Sequence, residues 1–258
     1  MQSYLRKLPI AGVLTALAIG VAFAALHNQN AKTQDIKRDD PTPIQEGLMT
    51  QKQREHSKLY KKYQGLNGLR SRANEANSSG DVEVSILPGV PELSPGGSPS
   101  AKPVKEDVDR ADAVLVGTVT HKSSQLTEEG NFIFTDYDFK VEQILKNNSS
   151  SPIPVAGTVT ITRPGGRILL NNRIYSALDR TARPLNVGKR YVVFLKYVPT
   201  SKDYSAFGSA VRLEPDDTIT ALSDDVTLGA DFRSGNKASD FLAKVQAAIA
   251  ADDRKGKP

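Results

Sequence analysis

Histidine is the side chain that most readily moves protons near neutral pH, and this chain has three: His27, His56 and His121. They are far apart in sequence. His27 follows an apolar amino-terminal run, His56 lies in a basic polar stretch, and His121 ends a predicted strand, where an ordinary strand-end role outweighs that of a ligand or base. Asp136 and Asp138 share one face of a predicted strand, ~7 Å apart at a rise of ~3.4 Å per residue, a spacing that suits paired carboxylates. Lys140 continues the same row, which favours a solvated, charge-balanced face instead. "TRPGGRI" places Arg163 and Arg167 around Gly165 and Gly166. A glycine turn between arginines can offer amides and charge to an anion, but the lysine and hydroxyl of a phosphate-binding loop are missing, so these four residues are read as a surface-contact loop. No donor spacing fits a metal, and no residue is put forward as catalytic, metal-binding or cofactor-binding.

The chain contains no cysteine, which excludes a disulfide scaffold, a thiolate zinc site, a cysteine nucleophile and a lipid-modified cysteine anchor. Tryptophan is absent as well. The pI of about 9.2 reflects charge outside the β-rich half: residues 105–258 carry 21 basic and 20 acidic groups, so basicity is no nucleic-acid signature there. The "NNSS" at Asn147 is a polar loop that matches a glycosylation sequon by pattern.

The elements that must position these residues are mostly strands. "NFIFTDYDFKVEQIL" alternates Ile133, Thr135, Tyr137, Phe139 and Val141 with Asp136, Asp138, Lys140 and Glu142, a period of two that predicts a strand with one wet face. "ADAVLVGTVTH" before it predicts its hairpin partner, with a bend or bulge at Gly117. "GTVTITRPGG", "RILLNNRIYSAL" (two short pieces around Asn171 and Asn172), "NVGKRYVVFLKYV", "DYSAFGSAVRL" and "DTITAL" follow. Asn236 is placed to cap a closing helix with Phe241, Leu242, Val245 and Ile249 on one side. The expected fold is mainly β, a small OB-like antiparallel barrel over residues 105–235 with a C-terminal helix and polar tail over 236–258.

The order "ADAVLVGTV", "YDFKVEQILK", "GTVTITRPGG", "NVGKRYVVFLKY" resembles the OB-type barrel of the netrin-like and tissue-metalloproteinase-inhibitor group, and more closely exported bacterial proteins with the same run of motifs. The resemblance covers Asp107 to Leu222 and implies the barrel and binding through its open face and loops. The inhibitors' zinc-ligating amino-terminal cysteine and bracing disulfides have no counterpart, so neither protease inhibition by that route nor any site residue carries over.

Residues 1–26 begin with Arg6 and Lys7 and run uncharged from Leu8 to Leu26, which predicts a signal peptide or an inner-membrane anchor and hence export to the periplasm or beyond. Ala22 and Ala24 supply the small-x-small cleavage pattern. Residues 27–104 are expected as a basic polar spacer, with a helix within 44–76 and a Pro/Gly-rich linker over 85–104. A chain starting at Lys105 should then fold by itself. The function expected is a noncatalytic binding module of the bacterial cell envelope, contacting an envelope protein, a peptide or a polymer without a cofactor. Export argues against nucleic acid. The competing expectation is an envelope hydrolase with carboxylates at the barrel mouth.

Overall fold

The computed structural model describes residues 40–43, 49–61, 82–86, 103–179, 181–223 and 229–255. The signal or anchor, its Ala22 and Ala24, His27 and most of the proline-rich linker lie outside the described residues. The chain divides into two compact units, Met1–Asp40 and Pro41–Pro258, and the described secondary structure belongs to the second.

Its elements in order are β1 (Thr42–Pro43), α1 (Gln51–Leu59), β2 (Val82–Ile86), α2 (Val104–Arg110), β3 (Ala113–Leu126), β4 (Ile133–Lys146), β5 (Thr158–Pro164), β6 (Gly166–Leu170), β7 (Arg173–Asp179), β8 (Arg190–Val198), β9 (Asp203–Leu213), β10 (Ile219–Ala221), a 3-10 turn (Ala230–Phe232) and α3 (Ala238–Lys255). Five of these strands make a closed circuit. β3 pairs antiparallel with β4 and β8, β4 with β5, and β8 with β9, and a short parallel contact between β5 and β9 completes the ring. This is the mainly β, OB-like barrel that the period-two runs predict.

The strand sequences explain which sides are covered. On β4, Tyr137, Phe139 and Val141 point into the barrel, where they meet Leu115, Ile161, Val193 and Leu195, while Lys140 and Glu142 are exposed. β8 is apolar on both faces because both are buried: Tyr191, Val193 and Leu195 face the barrel interior, and Val192 and Phe194 face an outer layer made by α2 and α3. Each such side chain taken from water contributes ~1.5–3 kcal/mol. Gly117 sits where the β3–β4 register shifts. A Cβ there would lie 2.2 Å from the Lys140 carbonyl oxygen and 2.6 Å from the Phe139 ring, so only glycine lets the two strands approach.

The cap of α3 differs from expectation. Asn236 turns its amide back to donate to the Ala230 carbonyl, and the first turn of α3 is held by Asp217, whose carboxylate accepts from the Ser239 amide (3.3 Å) and hydroxyl (3.1 Å). A carboxylate brought in from a preceding turn has replaced the local cap, a substitution invisible to local sequence rules.

A second sheet, in the order β1-β6-β7-β2, was not anticipated as a separate layer. Asn171 and Asn172 both have positive φ, as a two-residue hairpin turn requires, and join β6 to β7. β1 and β2 then add in parallel to the two outer edges of that hairpin. The expected boundary near Val104 therefore does not coincide with the start of the compact unit. Residues 41–86, expected as spacer with a helix within 44–76, supply α1 inside that range and also two edge strands. Tyr60, just past α1, packs with Phe132, Phe134, Ile168 and Tyr175 in a third apolar cluster between the hairpin and β4.

A chain beginning at Pro103 lacks that cover. We expect it to keep slow amide exchange in β3 and β8 but to lose it in β6 and β7, as read residue by residue by NMR. Unchanged protection in the hairpin would show that the amino-proximal strands contribute nothing to it.

Candidate functional site

Helix α1 is short and hydrophilic, and it starts with a capping box. The Thr50 hydroxyl accepts from the Gln53 amide (3.2 Å) and the Gln53 side chain accepts from the Thr50 amide (2.8 Å). Helical spacing then aligns Lys52, His56 and Tyr60 on one stripe, at i, i+4 and i+8, and the stripe lies on the outer face of β4 and β5. Lys52 Nζ donates to Thr160 Oγ1 (2.9 Å) and pairs with Asp203 (2.8 Å). His56 is fully buried, its Nδ1 2.9 Å from Asp136 Oδ1 and its Nε2 3.1 Å from Ser201 Oγ and 3.6 Å from Asp203 Oδ2. The Tyr60 hydroxyl meets Thr162 Oγ1 at 3.1 Å while its ring stacks on Phe134.

Ser201, His56 and Asp136 thus have the connectivity of a nucleophile, a base and an orienting carboxylate. The electrostatics oppose that use. Burial pushes the imidazole down, but hydrogen bonds and charge from Asp136 and Asp203 outweigh it and raise His56 to about 9. At neutral pH both ring nitrogens therefore carry protons. Nε2–H then donates to Ser201 Oγ, and no lone pair is left to activate the hydroxyl. As it stands, the group is a cation held between two carboxylates, tying α1 to the barrel.

Several sequence-based readings change here. Asp136, expected on a solvated row, is the partner of His56, and His56 itself is an interior residue rather than part of a spacer. His121 is exposed and lies within β3 rather than at its end. Arg163, Gly165 and Gly166 are buried, so "TRPGGRI" is no surface loop. It is the corner at which the chain leaves the barrel for the second sheet: Gly165 takes φ +88°, and the Thr135 hydroxyl donates to its carbonyl (2.7 Å). Arg167 Nε donates to Ser176 across the β6–β7 hairpin (3.2 Å). Arg163 is 1% exposed, and among the described residues its Nε and Nη1 have no hydrogen-bond partner. Burial lowers its pKa, opposed by the fields of Tyr137, Tyr60 and Asp179.

The missed signals were short. Thr50-x-x-Gln53 is a capping-box pattern, and the Lys52, His56, Tyr60 spacing marks one helix face. Both were submerged in the reading of that region as a solvated charge run.

At the far end of β4 lies a cleft of about 470 Å³, lined by Asp109, Asp112, Lys146, Asn148, Ser150 and Tyr197 among others. Asp112 accepts from Lys196 (2.8 Å) and from the Tyr197 amide (2.9 Å). Burial raises its carboxyl, and these contacts overcome that and lower it. Lys146 bridges the Val108 carbonyl and Asp252, both at 3.0 Å. The lining is polar and mixed in charge, suited to hydrogen-bonding ligands rather than to one strong ion. Among the described residues, no group of three or more His, Asp or Glu could hold a metal ion, and no helix is long and apolar enough to cross a membrane. Compared with known proteins, the chain matches no protein-family model and no curated protein.

A histidine raised from 6.5 to about 9 on folding contributes stability that is complete below pH 6.5 and is lost as pH rises through 9. We expect the melting temperature to fall between pH 6.5 and 9, and His56→Ala to remove that slope while costing ~3 kcal/mol at neutral pH, chiefly because the Asp136 carboxylate loses its charged partner while Asp203 keeps Lys52. Calorimetry of both chains across this range checks the expectation, and parallel profiles would refute it.

Proposed function

We propose that this protein is a noncatalytic binding module, exported to the bacterial cell envelope, that takes a segment of an envelope protein, a peptide or a polymer in the cleft beside Lys146 and Tyr197. The cleft carries the reading: it offers carboxylate, ammonium, amide and hydroxyl groups already oriented by one another, the kind of surface that holds a polar chain. The β4–β5 loop that forms one wall is itself braced, since Asn147 exchanges two hydrogen bonds with the Ile153 backbone. Export rests on the basic, then uncharged sequence of residues 1–26, which also provides an inner-membrane tether where it is retained. Kinship with netrin-like barrels is part of the same reading and is supported by the OB-like strand order.

One observation favours a hydrolase as the second reading: Ser201, His56 and Asp136 are joined by contacts of 3.1 and 2.9 Å. The protonated imidazole argues against it, and the two readings separate experimentally. We expect residues 27–258, immobilised, to retain a specific component of envelope extract that Ser149→Trp, which fills the cleft, fails to retain. An identical retained set would exclude the cleft. We further expect a fluorophosphonate probe to leave Ser201 unlabelled at pH 7. Labelling that disappears in Ser201→Ala would establish the hydrolase.

A further inference from the structure

In OB barrels the second and third strands, with the loops joining strands 1–2 and 4–5, form the usual ligand face. Here those parts are β4, β5, the turn between β3 and β4, and the turn between β8 and β9. Helix α1 touches all four. Besides the contacts to Asp136, Thr160, Thr162 and Ser201, the Glu128 amide donates to Ser57 Oγ (2.9 Å) and Lys61 pairs with Glu129 (3.8 Å).

The manner of attachment is that of a ligand rather than of a core element. α1 buries no aliphatic side chain, since its buried residues are His56 and Ser57 and its Leu59 is 37% exposed. One aromatic anchor, Tyr60, enters an apolar site beside Phe132 and Phe134, and charge pairs and hydroxyl contacts surround it. A single desolvated aromatic ringed by polar contacts is the anatomy of a recognition interface. The face beneath joins that apolar site to the polar groups of Asp136, Thr160 and Thr162 in its strands.

We propose that the outer face of β4 and β5 is a recognition surface for a cationic helical segment of a partner protein carrying the Lys-x3-His-x3-Tyr stripe, and that α1 is its built-in occupant, displaced when such a segment arrives in trans. Exchange with a second copy of this chain is disfavoured by the topology. α1 is flanked by β1 and β2, which pair with β6 and β7, so a swapped α1 would have to hold two copies within the reach of those flanks, whereas a free peptide carries no such tether. The surface is separate from the cleft and stands whether or not the cleft binds anything.

The test uses the full chain, labelled with 15N, and an unlabelled peptide of residues 49–61. At millimolar peptide we expect the wild-type α1 amides to lose exchange protection while β4 and β5 stay protected and their resonances shift. In Lys52→Ala/His56→Ala, which weakens the resident helix, the peptide should bind at least tenfold more tightly than to wild type. A peptide with alanine at the three stripe positions should bind neither chain. β4 and β5 resonances unmoved by peptide in the wild-type chain would overturn the proposal without reliance on any variant. A concentration-dependent dimer seen by light scattering, with α1 exchanged between copies, would overturn it in favour of self-association.

Discussion

Two parallel residue pairs, Ile161 with Tyr204 and Thr162 with Ser205, turn a six-stranded sheet into a ring. The barrel interior and the docking of α1 depend on that closure. It shuts the interior around Tyr137, Phe139 and Val193, and it also brings the start of β9 against the outer edge of β5. Asp203 and Ser201 then stand beside Asp136 and Thr160, residues from distant parts of the chain. The seat for α1 exists only because the ring is closed. The carboxylates that raise His56 to about 9 are thus a product of strand topology rather than of any local motif.

Among the described residues, two cations are buried, in different ways. The imidazolium of His56 has a carboxylate at hydrogen-bond distance and a second one near its other nitrogen, so its desolvation is matched by direct pairing. Arg163, which cannot shed its proton, is enclosed at the corner between the two sheets, where among the described residues its Nε and Nη1 find no hydrogen-bond partner and the fields of Tyr137, Tyr60 and Asp179 favour its charge. The first arrangement adds a pH-dependent tie between the amino-proximal segment and the barrel. The second places a fixed positive field at the corner where the chain passes from β5 to β6.

The barrel was legible because its strands carry strong local signals. Alternation gave β4, the continuous apolar run gave β8, and Gly117 marked a register shift where a Cβ would strike the facing backbone. Of the amino-proximal elements the helix was legible, since α1 lies within the expected 44–76, but the strands and the buried face of the helix were not. β1 and β2 are two and five residues long and owe their form to the edges they join, and α1 is too polar to advertise a buried face. Its burial is electrostatic, and the Lys52, His56, Tyr60 spacing marks a helix face without announcing a charge pair to a residue 80 positions away. The Pro164-Gly165-Gly166 corner shows the same limit. The residues announced a change of direction, but only the packing of Thr135 against them shows that the change happens inside the protein.

That long reach bears on the order in which the chain can become native. His56 is made early yet meets Ser201, 145 residues downstream, and β2 must find β7 across the whole first half of the barrel. Contacts of such separation carry a large loop-closure cost and form late. The ribosome therefore releases α1 and its flanking strands long before their docking surfaces exist, and the hydrophilic sequence of α1 lets that helix wait in water.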